Sequence, residues 1–229
     1  LKCEQIIFDE LKKQLNSKDN NQVANAAFNL LEMSSNTEFG CSCTNDYSRK
    51  LVMETIFSNQ GQPPKALSTE KILPDFLQCF SISPYLRDDR MARYICTKAG
   101  VFPTWSNYPK VDSSNLIPAL PFLIEIANSK RDLKVRKNAI LALGTGERNE
   151  EIKAKVEPQL KKWLDSSEPV IKASACLLAS DYPDLISDSK RIELLKDQNS
   201  EIRDAIVMSI AFTQKADDAT IKQLENLLK

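Results

Sequence analysis

The sequence predicts an all-α fold in which about twelve helices stack in pairs into a right-handed α-α superhelix, or solenoid. Three observations lead to this prediction. The 229 residues include only 5 glycines and contain no alternating, strand-like run. Apolar residues recur instead at spacings of three and four, which is typical of helices with one buried face. One short motif also returns three times in the second half of the chain, at an interval typical of two-helix repeats.

The periodic segments give the helices in chain order, and the residues at their ends agree with them. Asp132 and Asn199 stand where an N-cap is expected, because their side chains can accept from the unpaired amides of a first turn. Pro169 falls in a first turn, where a missing N–H costs nothing. Gly144 and Gly146 close the helix that precedes them. The predicted helices are 3–17, 20–33, 47–58, 69–81, 86–98, 116–129, 133–144, 149–165, 168–180, 185–196, 200–212 and 217–228.

The chain is expected to be one α-solenoid domain, 1–229, with two parts of different regularity. The connections between most helices are short, so successive helices should run antiparallel. Two segments, 34–46 and 100–113, break the helical pattern and are predicted to be long loops. Residues 1–113 are therefore predicted to form an irregular helical part, and residues 114–229 a regular set of repeats.

The repeat is seen when three stretches are aligned. "VRKNAILALG" begins at Val135, "IKASACLLAS" at Ile171 and "IRDAIVMSIA" at Ile202, at intervals of 36 and 31 residues. Each opens with a β-branched residue that a base follows, and apolar or small residues then return at the same offsets. Each copy also follows another predicted helix. Small residues at these places would allow helices to pack closely, as the second helix of a solenoid unit must.

This motif resembles the HEAT-like repeats of bacterial and phycobilisome-lyase-like proteins, in which a unit has the form Leu-x-Asp, a short turn, then Val-Arg-x-x-Ala-x-x-Ala-Leu-Gly. The resemblance is clearest over residues 115–229 and loose before them. In that family the base tends to pair with an acid of a neighbouring unit. The resemblance therefore implies an inter-repeat ladder formed by Arg136, Lys172 and Arg203 with Asp165 and Asp197.

The resemblance further implies a non-enzymatic scaffold or adaptor that holds another protein on its concave surface, which second helices would line. The expected partner-binding residues are Lys137, Asn138, Ser174 and Asp204, with Trp105 and Tyr108 nearby. The aromatic loop that contains Trp105 and Tyr108 has two interpretations. It could anchor a partner, or it could pack between the irregular and the regular part of the chain.

Composition argues against catalysis and against nucleic acid. The chain contains no histidine, which excludes a Ser-His-Asp triad, a Cys-His dyad and any imidazole-bound zinc. The 31 basic and 31 acidic residues cancel, so no overall field attracts a polyanion. We expect no catalytic residue, no metal and no cofactor.

Two alternatives that rest on the repeat type stay open. One is a DNA-glycosylase-type enzyme that would use a basic groove with a stacking aromatic. The other is a chromophore-lyase-like or maturation helper. The residues that the glycosylase reading would need are Lys130, Arg131, Lys134, Arg136, Lys137 and either Trp105 or Trp163.

The six cysteines leave the redox state and compartment open. Cys3 starts the first predicted helix, and Cys41 and Cys43 follow the second helix back to the same end, so a disulfide from Cys3 to either is feasible. The cysteine left over could pair with Cys96. Free thiols throughout are the alternative, and Cys176 is predicted to be a buried free thiol. No signal-peptide pattern is present, but the sequence starts at Leu1, so an upstream segment could be missing.

Overall fold

The computed structural model describes residues 2–35, 51–82, 113–144, 149–213 and 217–227. The predicted helix 86–98 lies outside these ranges, as do most of the two predicted loops. The described residues form eleven α-helices and, apart from an isolated bridge between Asn59 and Gln62, no β-structure. The helices are α1 (Lys2–Gln14), α2 (Asn20–Ser35), α3 (residues 51–56), α4 (Leu73–Ile82), α5 (Leu120–Asn128), α6 (Leu133–Ala142), α7 (Glu150–Leu164), α8 (Pro169–Leu178), α9 (Asp188–Leu195), α10 (Ser200–Thr213) and α11 (Asp218–Leu227).

The predicted helix starts are confirmed by their capping hydrogen bonds. Asp132 accepts from the backbone N–H of Lys134 at 2.8 Å, and Asn199 accepts from that of Glu201 at 2.9 Å. Pro169 occupies the first turn of α8. The two capping side chains satisfy an amide that has no partner within the helix, and the proline has no such amide. These features fix where each helix begins.

Prolines explain why two helices, α5 and α9, begin later than predicted. Residues Ser113–Ala119 form a 3-10 helix, although the prediction continued an α-helix from residue 116. Pro118 and Pro121 carry no N–H, so the ladder of α-helical hydrogen bonds cannot be completed before α5. Likewise Pro183–Leu185 is a short 3-10 helix, and α9 begins only after it.

The helices are arranged in two layers. Helix α4 packs against α6, α6 against α8, and α8 against α10, so these four form a continuous row that we call the inner helices. The intervening helices α5, α7 and α9 pack against α6, α8 and α10 respectively, and we call them the outer helices. Helix α11 packs on α9. Contacts between neighbouring inner helices are far more extensive than those between α5 and α7, as expected when a stack curves with its inner layer on the concave side.

One contiguous cluster of buried side chains runs through both layers, from Leu11 in α1 to Ile210 in α10. At the junction between the two parts of the chain, Gly61 has φ +77° and lies against α5. A Cβ at this position would come within 2.8 Å of Pro121 Cγ, so the close approach requires glycine. The neighbouring Gln62 donates to Glu125 Oε2 at 2.9 Å, which ties the same turn to α5.

Candidate functional site

The second helices of the three repeats, α6, α8 and α10, bury equivalent positions. The residues four and eight places after the β-branched residue are all buried, which directs this face of each helix into the core. The position five places after the β-branched residue differs in burial between the helices. Ile140 and Cys176 are fully buried there, whereas Val207 on α10, beyond which no described inner helix lies, is 37% exposed.

The opposite face of the same helices lies at the surface. Each helix contributes three residues at i, i+3 and i+7, which share one side of an α-helix, and all are exposed or half-buried. Because α6, α8 and α10 pack side by side, the three sets form one band across the inner helices. We call this band the inner stripe: Lys134, Lys137 and Leu141 on α6, Val170, Ala173 and Leu177 on α8, and Glu201, Asp204 and Met208 on α10.

The charged residues of the inner stripe are exposed at its two ends. Lys134 and Lys137 give α6 a basic surface, and Glu201 and Asp204 give α10 an acidic one. Within the described part of the chain, none of these four side chains makes an ion pair or a hydrogen bond. Such charges are available to another molecule without loss of an existing contact.

The predicted partner-binding residues divide into three groups. Lys137 and Asp204 are exposed in the inner stripe, and Asn138 is half-buried beside it. The prediction is wrong for Ser174, which is 1% exposed and donates from Oγ to the carbonyl oxygen of Val170 at 2.6 Å. Its burial follows from the packing of α8 against α6, α7 and α10, which the pattern of a single helix does not reveal. Trp105 and Tyr108 lie outside the described residues.

The bases of the proposed ladder lie at the junctions between repeats. Arg136 Nη1 is 2.7 Å from Glu168 Oε2, and its Nε donates to the carbonyl oxygen of Ala127 at the end of α5. Its acidic partner is therefore Glu168, and not either of the aspartates that the family resemblance suggested. Lys172 Nζ lies 3.3 Å from Asp197 Oδ2.

The third base, Arg203, differs from the other two because it contacts backbone. Its Nη1 donates to the carbonyl oxygens of Asp197 and Gln198 at 2.8 and 3.0 Å. The Asp197 carboxylate accepts from the Asn199 backbone N–H, and this hydrogen bond, together with the contact from Lys172, holds its pKa below the ordinary value.

Asp165 pairs with a base that the sequence did not single out. Lys190 of α9 contacts Asp165 Oδ1 and Glu193 Oε1, each at 2.7 Å. Burial opposes the charge of Lys190, but hydrogen bonds to the two carboxylates outweigh it and raise the pKa of the ammonium. The Asp165–Lys190 contact crosses a shallow depression of about 310 Å³ between α7 and α9, on the outer layer.

Outside the inner stripe, two residues that could have taken part in chemistry, Cys176 and Trp163, are buried. Cys176 is a buried free thiol, as predicted, and burial raises its pKa to about 12. Trp163 is 2% exposed, and its indole N–H donates to Asn128, so it is not available to stack on a base. Among the described residues, no group of three potential ligands could hold a metal ion. The cysteines of the predicted disulfide lie outside the ranges or, for Cys3, where the side chain is not described.

Comparison with solved structures identifies the fold. A designed armadillo repeat protein in complex with the peptide (KR)4 superposes with a TM-score of 0.51 at 17% identity, covering 95% of this chain and 86% of that one. An engineered protein superposes with a TM-score of 0.50 at 18% identity, covering 96% and 84%. No family profile matches the sequence, and no curated protein does. The predicted all-α superhelix is therefore confirmed as an armadillo-like helical-repeat solenoid. Across the described helices, none is both long and apolar enough to cross a membrane.

Proposed function

We infer that the chain is a non-enzymatic binding module that holds a segment of another protein along the inner stripe. The observation that carries this proposal is the row of equivalent exposed or half-buried positions on α6, α8 and α10, whose charged members have no ion pair or hydrogen bond with any other described residue. Such a row is suited to binding an extended segment, because each further helix in the stack lengthens the contact surface.

The fold comparison supports the same proposal by analogy. The designed armadillo repeat protein of the same fold was solved with a peptide bound. Analogy of fold does not transfer a site, so the residues of this chain must supply the argument. They do so through the inner stripe, which has charged groups for specificity and half-buried apolar groups that gain from being covered.

We further propose that the module is one domain over residues 1–229. The contiguous core from α1 to α10 and the packing of α4 on α6 support this, because they join the irregular part to the repeats through buried side chains. The loop aromatics Trp105 and Tyr108 stay predicted contributors to partner binding.

The proposal is tested by selecting binders from a displayed library of random, unstructured peptides with the purified chain as target. We expect enriched peptides whose affinity falls at least tenfold in the variant Ala173→Lys, because Ala173 lies at the centre of the inner stripe. The matched control is Ala154→Lys, which places the same side chain on an exposed position of the outer helix α7. Its affinity should change less than about twofold.

Two results would contradict the proposed function. The first is a selection that enriches no peptide above an unrelated control protein. The second is equal affinity of the two lysine variants, which would place the binding surface away from the inner helices. Circular dichroism of each variant should show unchanged helix content, so that a loss of binding is not a loss of fold.

A further inference from the structure

The two ends of the inner stripe differ in sign, and the proposed function alone does not use this difference. We propose that the segment it binds is an extended strand of protein with opposite charges six residues apart. A carboxylate of the segment would lie on α6, a lysine or arginine on α10, and apolar side chains would occupy the alternate positions between them. This inference rests on the proposed function and adds the chemistry of the partner.

The charge argument follows from the equivalence of the repeats. The same two positions of the motif hold Lys134 and Lys137 on α6, and Glu201 and Asp204 on α10. On α8 they hold the uncharged Val170 and Ala173. A partner that crosses all three helices therefore passes from a basic surface over a neutral one to an acidic one. A uniformly charged segment would gain attraction at one end and meet repulsion at the other.

The spacing follows from helix packing. Packed helix axes lie about 8–10 Å apart, so the two spacings from α6 to α10 cover roughly 16–20 Å. An extended chain rises about 3.3 Å per residue, so five to six residues cover that distance. Successive side chains of a strand point to opposite sides. Two charges on the same side must therefore be an even number apart, which selects six.

The side chains on the other side of the bound segment would meet a second row of the inner stripe. Leu141, Leu177 and Met208 occupy its third position on the three helices, about one helical turn beyond the charged row. Met208 is 41% exposed, and the two leucines are half-buried. An extended segment lying between the two rows would direct charged side chains to one row and apolar side chains to the other. The partner should thus alternate between polar and apolar residues.

The same surface disfavours nucleic acid. A polyanion long enough to cross the inner helices would bring phosphates against Glu201 and Asp204, and neither carboxylate is neutralised by a base in the described part of the chain. The basic end alone offers two lysines, fewer than the number of phosphate contacts that usually gives measurable affinity at physiological salt.

The experiment uses three fluorescein-labelled peptides of nine residues and measures binding to the full chain by anisotropy at low ionic strength. All three have leucine at positions 3, 5 and 7 and serine elsewhere, except at positions 2 and 8. The mixed peptide carries aspartate at 2 and lysine at 8, the acidic peptide carries aspartate at both, and the basic peptide carries lysine at both. We expect the mixed peptide to bind about tenfold more tightly than either of the others.

Charge reversal of one end at a time gives the matched controls. The variant Lys134→Glu with Lys137→Glu should prefer the basic peptide, and Glu201→Lys with Asp204→Lys should prefer the acidic one. All four reversals together should restore preference for the mixed peptide, which can bind in the opposite direction. Since these side chains are exposed and unpaired in the described residues, the reversals should leave the helix content unchanged. If the double variant is unstable, Asp204→Lys alone gives a weaker test: it leaves Glu201 in place and so neutralises the acidic end, which should remove the preference for the mixed peptide over the acidic one.

The outcomes separate this inference from the proposed function. Preferences that follow the reversals support the charge order. Equal binding of the three peptides that Ala173→Lys still abolishes would overturn the charge order and leave the binding module standing. Preferences that stay the same in every variant would also overturn it. A tighter complex with a single-stranded oligonucleotide than with the mixed peptide would overturn the choice of a protein partner.

Discussion

The part of the molecule before residue 83 buries a cluster of aromatic rings, whereas the inner helices of the repeats, α6, α8 and α10, bury none. In the first part, Phe76 meets Phe28 and Phe57, and Phe57 and Phe76 both meet Phe122 of α5, with ring centroids 5.9–6.5 Å apart. In α6, α8 and α10 most of the buried residues are alanine, isoleucine and leucine. Large rings pack through individual geometries, whereas small aliphatic residues allow the same helix spacing to recur.

This difference explains why only one part of the chain is visibly repetitive. In the repeats, α6 packs against α8 and α8 against α10, and buried residues recur at the same offsets from the β-branched residue. Among the described residues, the aromatic cluster joins α2, α4 and the turn after α3 to α5. Its packing depends on these particular rings, so it imposes no period on the sequence.

The largest expected effect comes from breaking the aromatic cluster. Phe76 is fully buried and contacts three rings among the described residues. Phe76→Ala should lower the free energy of unfolding by about 3–5 kcal/mol, because it removes a buried ring and leaves a cavity. Urea unfolding followed by circular dichroism measures the change. Phe8→Ala, at a half-buried position of α1, is the matched control and should cost less than half as much.

Hydrogen exchange in the same variant sharpens the comparison of the two parts. If the contiguous core makes the chain one cooperative unit, amides of α8 should exchange faster in Phe76→Ala, although α8 does not belong to the aromatic cluster. Unchanged protection in α8 with increased exchange in α2 and α4 would mean that the two parts unfold separately. That result would contradict the proposal of a single domain.

An intermediate effect is expected from enlarging a small residue of the repeats. Ala175 is fully buried in α8, which packs against α6, α7 and α10 at once. Ala175→Val should destabilise the protein by about 1–3 kcal/mol, because three helices would have to move apart. Ala154→Val, on an exposed position of α7, should cost only the helix propensity of valine, about 0.5 kcal/mol. Thermal or urea unfolding of both variants gives the measurement. Equal losses of stability would show that the packing of α8 against its neighbours accepts larger residues.

How much the sequence could predict depends on how local each feature is. Apolar periodicity and caps such as Asp132 and Asn199 act within one helix, so the helices of the described ranges were predicted closely. Burial of Cys176 also follows from the apolar residues around it. The predicted start of α5 was too early because two prolines delay the helix. The prolines are visible in the sequence, but the prediction gave more weight to the apolar periodicity.

Features that depend on how helices are placed against one another could not be predicted in the same way. Ser174 is polar but is buried in the structure, on a helix that packs against three others. Arg136 pairs with Glu168, the N-cap residue of α8, because α8 packs against α6. The charge order of the inner stripe was readable in principle. To see this charge order, one must compare Lys137 with Asp204, which occupy the same position of the repeat. It is not visible when each helix is considered alone.

The smallest effect concerns the ladder, which is a feature of the repeats. The pKa of Asp197 is lowered, first by its hydrogen bond from the Asn199 backbone and then by Lys172, so the folded protein favours the ionised carboxylate. The resulting stabilisation is fully present above the ordinary pKa of the group and is lost as pH falls through the lower folded-state value. Asp197→Asn should therefore cost about 0.5–1 kcal/mol at pH 7 and nothing once the pH lies well below 3.8.

The control for this prediction is Asp204→Asn, an exposed carboxylate on the adjacent helix with no ion pair in the described residues. Urea unfolding of the wild type and both variants at pH 7 and in acid gives the comparison. A deficit for Asp197→Asn that is the same at both pH values would mean that the amide disturbs the turn before α10 and that the charge contributes nothing. A deficit confined to neutral pH, and absent from Asp204→Asn, would instead assign the stabilisation to the ionised Asp197 carboxylate, which the Asn199 N–H and Lys172 both contact.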